Sequence, residues 1–212
     1  MRSGSTTGRT FADEARRRQI VACAIELIAE VGYPTASLAK IAERAGIAKS
    51  AVLYHFRGKD ELVSAIVETV FEASATTMIP RIVAQTSATD RLRAYIESNG
   101  EFLDVHRQEA VALYEISVSY RDKRGLRFDQ AVQASVDDAG VPPELALLDP
   151  LSILGDGIRD GEFDATAAPA VVKSIVRSSL DGVVRELARD SDYDVLGHTS
   201  ALASIIISAI GR

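Results

Sequence analysis

The sequence predicts an all-α protein in two parts, and three observations carry that prediction. Pro is scarce, at 6 of 212 residues, while Ala, Ile, Leu and Arg are abundant, a balance that favours helix over sheet. Apolar residues recur at helical spacing, and no alternating run of strand length stands out. Charge is divided unevenly: residues 1–60 hold ten Lys/Arg and six Asp/Glu, net +4, whereas 61–212 hold fourteen and twenty-four, net −10. A basic end on an acidic chain suggests that one part meets a polyanion and the rest does not. The predicted division is 1–58, with 1–9 as a polar, flexible arm, and 59–212. With 47% hydrophobic and 25% charged residues, the chain has the composition of a soluble globular protein.

Thr10 and Asp13 in "TFAD" have capping-box spacing and open the first helix. It turns Ile20, Ala24, Leu27, Ile28 and Val31 inward and ends at Gly32, a left-handed cap. Ser37 caps a second helix, in which Leu38, Ile41, Ala42 and Ala45 follow the i, i+3, i+4, i+7 pattern. Gly46 breaks it. A short third helix runs over about 49–55, and a fourth over about 58–79, stopping before Pro80. Longer helices are expected at about 89–106, 108–122 and 126–139. "GVPP" at 140–143 is a turn, followed by a helical piece at about 144–160. The stretch "DGEFDATAAP" forms a loop before helices at about 168–189 and 194–210.

The short third helix is the informative one. Two helices joined by a brief glycine-containing turn form a helix-turn-helix, whose second helix enters the major groove of DNA. On a helical wheel with Val52 inward, Ala48 and Phe56 fall beside it as an apolar anchor. Ser50 and Tyr54 point away, Ala51 and Leu53 lie on the shoulders, and Lys49 and His55 flank the buried side. Ser50 and Tyr54 suit base edges or phosphates, and the Ala51 methyl suits a thymine methyl. Lys49 reaches toward a phosphate, and Lys59 sits in the next helix's first turn, where free N–H groups favour an anion. Arg16, Arg17 and Arg18 add either phosphate contacts or a solvated basic face. A plain three-helix corner is the alternative.

The stretch "TASLAKIAERAGIAKSAVLYHFRGKDELV" closely resembles the DNA-binding motif of the tetracycline-repressor (TetR) family of bacterial transcriptional regulators. The features that carry the likeness are Ser37, "IAERAGI" at 41–47, Lys49, the aromatic-His-Phe run at 54–56 and "KDEL" from Lys59. Further on, "LGDGIRDGEFDATAAP" and the following "LDGVV" are similar to that family's C-terminal end. The resemblance implies an N-terminal three-helix DNA-binding domain and a larger C-terminal helical domain for ligand binding and dimerisation. It also implies a homodimeric regulator, a repressor released from a palindromic operator by a small-molecule effector. The implied DNA-binding residues are Ser37, Lys49, Ser50, Ala51, Leu53, Tyr54, His55 and Lys59. Many members carry an aromatic residue where this chain has Leu53, so the backbone contact passes to Tyr54.

A single short helix reads few base pairs, so two copies are needed. Val195 to Gly211 contains no Asp, Glu, Lys or Arg and is crowded by Leu202, Ile205, Ile206, Ala209 and Ile210. The preceding helix carries Val172, Ile175, Val176, Ser179, Val183 and Leu187 on one stripe, beside Gly182. Helices 168–189 and 194–210 therefore make a candidate dimer seam; a monomer core is the plainer reading. In the helix at 89–106, Asn99 and His106 interrupt an apolar stripe that includes Phe102. Such groups bind backbone, water or a ligand, and with Tyr114 and Ser117 they form the candidate effector site.

Enzyme chemistry finds little support. "GDGIRDG" has the wrong glycine spacing for a dinucleotide loop. Ile158 and Ala167 occupy ligand positions in what would be a calcium loop starting at Asp156. His55, His106 and His198 lie far apart and make no zinc spacing with Cys23, the one cysteine. No metal or cofactor is expected, and Asp137 and Asp138 fit a solvated helix end. A helical enzyme or a protein-binding adaptor is the alternative class. Cys23 fits a buried position in a reducing compartment, and without a leader or a run of eighteen apolar residues the expected location is cytoplasmic, with no membrane partner.

Overall fold

A computed structural model describes residues 11–139 and 146–212. Among them are ten helices: α1 Phe11–Val31, α2 Leu38–Arg44, α3 Lys49–His55, α4 Lys59–Val83, α5 Ala88–Val105, α6 Arg107–Ser119, α7 Phe128–Ala139, α8 Leu151–Arg159, α9 Pro169–Leu187 and α10 Val195–Ile210. The described residues contain no strand, only two isolated bridges, Arg121 with Arg127 and Phe163 with Gly211. The expected Thr10 cap, the arm at 1–9, the "GVPP" turn, and the side chains of Asp137 and Asp138 lie outside the described residues.

Helices α1 to α3 form a head around Ile20, Ala24, Ile28, Ile41, Val52 and Phe56, all buried. Gly32 closes α1 at φ +78°, its N–H donating to the Ile28 carbonyl at 2.9 Å. Two expectations fail in α1. Val31 is 37% exposed, because it falls in the last turn where the helix leaves the core. Cys23 is only partly buried, since it faces the α2 side near Glu26 and Arg44 rather than the α1 stripe.

The long α4 leaves the head and runs into the body. It continues through Pro80 rather than stopping before it. Proline removes one bond, to the carbonyl of residue 76, but Met78 and Ile82 on either side are buried, and Arg81 pairs with Glu101 on α5. Packing therefore outweighs the local break. By length and composition α4 would suffice to cross a membrane; here Leu62, Ile66, Val70, Met78 and Ile82 form its face toward the core.

In the body, α5 packs between α4 and α10. Its approach to α10 is close at Gly100, where an added Cβ would lie 2.1 Å from Thr199 Oγ1. Helix α6 ends at Ser119, three residues earlier than expected, and its Glu115 side chain reaches Gly32 at the end of α1. Of the helical piece expected at about 144–160, the described residues show a non-helical stretch at 147–150 followed by Leu151–Arg159.

Candidate nucleic-acid interface and effector cavity

The helix-turn-helix is built by local chemistry. Ser37 is the N-cap of α2, its Oγ accepting from the Lys40 N–H at 3.3 Å. Gly46 takes φ +66°, a left-handed conformation that glycine adopts without strain. The Ile47 N–H then returns to the Ala42 carbonyl at 3.0 Å, and α3 begins two residues later.

Helix α3 is seated by Val52 and Phe56, each 0% exposed, while Tyr54 is 77% and Leu53 45% exposed. Lys49 and Ser50 are exposed, and Ala51 and His55 are half-buried. The wheel thus places the outward edge correctly except at Ala48. That residue is the N-cap, with ψ 146°, so it stands outside the helix and is exposed. Tyr54 and His55 meet edge to face, with ring centroids 5.1 Å apart.

Two of the basic side chains serve inside the head. Arg17 donates to the His55 carbonyl at 2.7 Å, lies 3.4 Å from Glu61 Oε1 and places its guanidinium 4.1 Å from the Phe56 ring centroid. It therefore fastens the end of α3 to α1. Glu61 in turn accepts the Arg57 N–H at 2.8 Å, a bond that holds its carboxyl below the usual range. Lys59, expected as an outward cation, is half-buried. Its ammonium donates to the Tyr33 carbonyl at 2.6 Å and sits 3.8 Å from the Tyr33 ring centroid, and burial lowers its pKa. Arg16 donates to Gln19; Arg18 remains exposed. No spacing rule flags Arg17 or Tyr33 in these roles, because both partners are distant in sequence.

A cleft of about 900 Å³, counting the space open to solvent, lies among α4, α5, α6, α7 and α9. Four of the five expected effector residues, Asn99, Phe102, Tyr114 and Ser117, line it together. His106 does not. Helix α5 ends at Val105, so His106 becomes the junction between α5 and α6, stacked on Phe102 with centroids 4.9 Å apart and Nδ1 3.3 Å from Glu109 Oε1. Asn99 donates to the Tyr95 carbonyl at 3.1 Å and Ser117 to the Tyr114 carbonyl at 2.7 Å. Most of the remaining wall is apolar, including Val70, Phe71, Met78, Leu113, Phe128 and Leu148. Arg177 and Asp181 on α9 add charge to the lining, residues that the seam reading of this helix overlooked. Among the described residues no cluster suited to a metal occurs.

The seam stripe is largely core. Val172, Val176, Val183, Leu187, Leu202, Ile206 and Ile210 are buried within the subunit. The outer faces of the same two helices nevertheless expose Val171 (56%), Ile175 (48%), Leu196 (47%) and Ile205 (65%). On α10 this face is otherwise small and uncharged, with Ser200, Ala201, Ser204, Ser208 and Ala209.

Residues 20–66, which span this helix-turn-helix, match the family model described as bacterial regulatory proteins, tetR family. These residues carry the DNA-binding motif of the TetR family. The protein is accordingly a DNA-binding transcriptional regulator. The chain is 25% identical over 191 residues to the transcriptional activator FasR of Mycolicibacterium smegmatis, covering 90% of this chain and 81% of FasR. It is 22% identical over 194 residues to the fatty acid metabolism regulator protein of Bacillus subtilis, covering 91% and 94% respectively. Its fold is similar to the crystal structure of FadR from Bacillus subtilis in complex with stearoyl-CoA, with TM-score 0.69, 22% identity and coverage of 91% and 98%. By name the first relative is a transcriptional activator and the second a regulator of fatty acid metabolism.

Proposed function

We propose that this protein is a homodimeric cytoplasmic repressor that reads a palindromic operator with α3 and releases it when an apolar ligand fills the body cleft. The head is residues 1–58 and the effector-binding and dimerisation domain is 59–212. The observation that carries the reading is the polarity of α3: one edge is sealed by Val52 and Phe56 while Tyr54 and Leu53 stand in solvent. Ser50 and Tyr54 contact base edges, Tyr54 also reaching the backbone. Ala51 and Leu53 supply apolar groove contacts, and Ser37, Lys49, His55 and Lys59 lie along phosphates, Lys59 after leaving the Tyr33 carbonyl. The two-fold partner covers the outer faces of α9 and α10 around Ile175 and Ile205.

For the effector we propose a long-chain acyl thioester. The apolar wall supports an acyl chain, and the polar Asn99, Tyr114 and Ser117 support its carbonyl end. The Bacillus subtilis proteins, one named a fatty acid metabolism regulator and one solved with stearoyl-CoA bound, concern the same chemistry. The test is a footprint on the intergenic DNA beside the gene, followed by anisotropy with the protected duplex. Lys49→Gln should weaken all duplexes alike and lower the salt slope by about 0.9. Tyr54→Ala or Ser50→Ala should instead change the preferred sequence, costing about 1–3 kcal/mol at the contacted base pair. Indifference to all three substitutions would overturn the reading.

A further inference from the structure

Helix α4 is the visible link between head and body, but a second physical connection crosses the same gap. Phe128, in the cleft wall, meets Tyr120 edge to face with centroids 6.3 Å apart. Tyr120, 7% exposed, meets Tyr33 at 6.0 Å and 65°. Tyr33 holds Lys59, by its carbonyl at 2.6 Å and by its ring at 3.8 Å. Lys59 opens α4, four residues after the last residue of α3. The row thus runs from the effector wall through the end of α6 to the loop between α1 and α2, and ends at the joint behind α3.

We propose that Phe128, Tyr120 and Tyr33 form an aromatic strap that positions the Lys59 joint, and with it α3, according to the state of the cleft. The inference rests on the proposed effector role of the cleft. Edge-to-face pairs have strong preferences for centroid distance and tilt, so a ligand that displaces Phe128 cannot leave Tyr120 in the same contact. Tyr120 is enclosed and has little free volume in which to absorb the shift; Tyr33 is its neighbour on the head side. The Tyr120 hydroxyl lies beside the Asp60 carboxylate, one residue beyond Lys59, and burial together with that carboxylate raises its pKa. The strap is a positioning device: none of its three rings is assigned a base or phosphate.

Amide hydrogen exchange on the full-length protein tests this without a ligand or an operator. Tyr120→Leu and Phe128→Leu keep apolar bulk but remove both edge-to-face pairs and one of them, respectively, and each should speed exchange over residues 49–57 by about three- to tenfold. Tyr120→Phe keeps both ring pairs and loses only the hydroxyl beside Asp60, so exchange over those residues should rise less than in Tyr120→Leu. Ile116→Ala, a buried change one turn earlier on α6, serves as the control for general loosening, and α10 reports global opening. Exchange over 49–57 that stays at the wild-type rate in both Leu variants, or rises no more than in Ile116→Ala, overturns the strap. A second arm measures stearoyl-CoA binding to wild type. Failure there removes the acyl thioester from the cleft and leaves the exchange result to judge the strap by itself.

Discussion

Arg17→Met removes one charge from α1 and should loosen the DNA-reading helix two elements away. Methionine keeps the apolar stem over Phe56 but deletes three interactions. The first is the 2.7 Å bond to the His55 carbonyl, the last residue of α3. A hydrogen bond from a charged donor contributes about 1.5–3 kcal/mol. The second is the guanidinium 4.1 Å from the Phe56 ring, about 0.5–1 kcal/mol at a partly exposed site. The third is the 3.4 Å ion pair with Glu61, whose side chains are 21% and 34% exposed; solvent screening keeps it below about 1 kcal/mol. The three share one side chain and do not simply add, so the expected loss is about 2–4 kcal/mol. At about 2–4 °C per kcal/mol for a chain of this size, thermal unfolding followed by circular dichroism should shift down by about 4–16 °C. Arg17→Lys, with one compact ammonium, should recover part of the loss, since it cannot serve the carbonyl and the ring together. A Met variant that melts within about a degree of wild type would refute the assignment of Arg17 as the fastener of α3.

Three further outcomes follow from the packing and the charges. Gly100→Ala places a methyl 2.1 Å from Thr199 Oγ1 and should cost about 1–3 kcal/mol by forcing α5 and α10 apart; Thr199→Ala in the same chain should restore part of that in a urea melt. Ile205→Glu, on a face that is 65% exposed at that residue, should leave the subunit folded but shift sedimentation toward monomer and weaken binding to a two-half-site duplex. Glu162 accepts the Ala88 and Thr89 N–H groups at 2.8 and 2.9 Å, and these bonds hold its carboxyl below the usual range. A lowered folded pKa means the contribution is complete above the unfolded value and disappears as pH falls through the folded one. Wild type should therefore lose stability on acidification below about pH 4.5 more steeply than Glu162→Gln, which titration of the melting temperature will resolve.

The head was legible because its signals are local. A cap at Ser37, a glycine at 46 with positive φ and the spacing of Val52 and Phe56 fix α2, the turn and α3 within a single stretch of chain. The contacts that local reading does not reveal have the opposite character. Lys59 carries the residue type and helix position of a phosphate ligand, yet its ammonium bonds Tyr33, 26 residues away. Pro80 obeys the local rule for a helix stop but lies between Met78 and Ile82, whose burial holds α4 together. His106 follows the α5 periodicity one position past the point where the helix ends. In the cleft, Asn99, Phe102, Tyr114 and Ser117 were found because helical spacing aligned them, whereas Arg177 and Asp181 come from a helix whose other face drew attention.

The seam illustrates why periodicity alone could not assign a partner. A charge-free helix is usually enclosed on most of its surface, yet eight of the sixteen residues of α10 are exposed in the subunit. Enclosure by the subunit and enclosure by a second copy give the same composition. The structure separates them: Leu202, Ile206 and Ile210 are covered by the subunit itself, and Leu196 and Ile205 are not. On α9, Val171 and Ile175, one turn apart, are likewise uncovered while Val172 and Val176 beside them are buried. Both helices therefore carry apolar residues on an inner and an outer face. The subunit itself covers the first set, and the second is the face that the proposed two-fold copy would cover, bringing two α3 helices to one duplex.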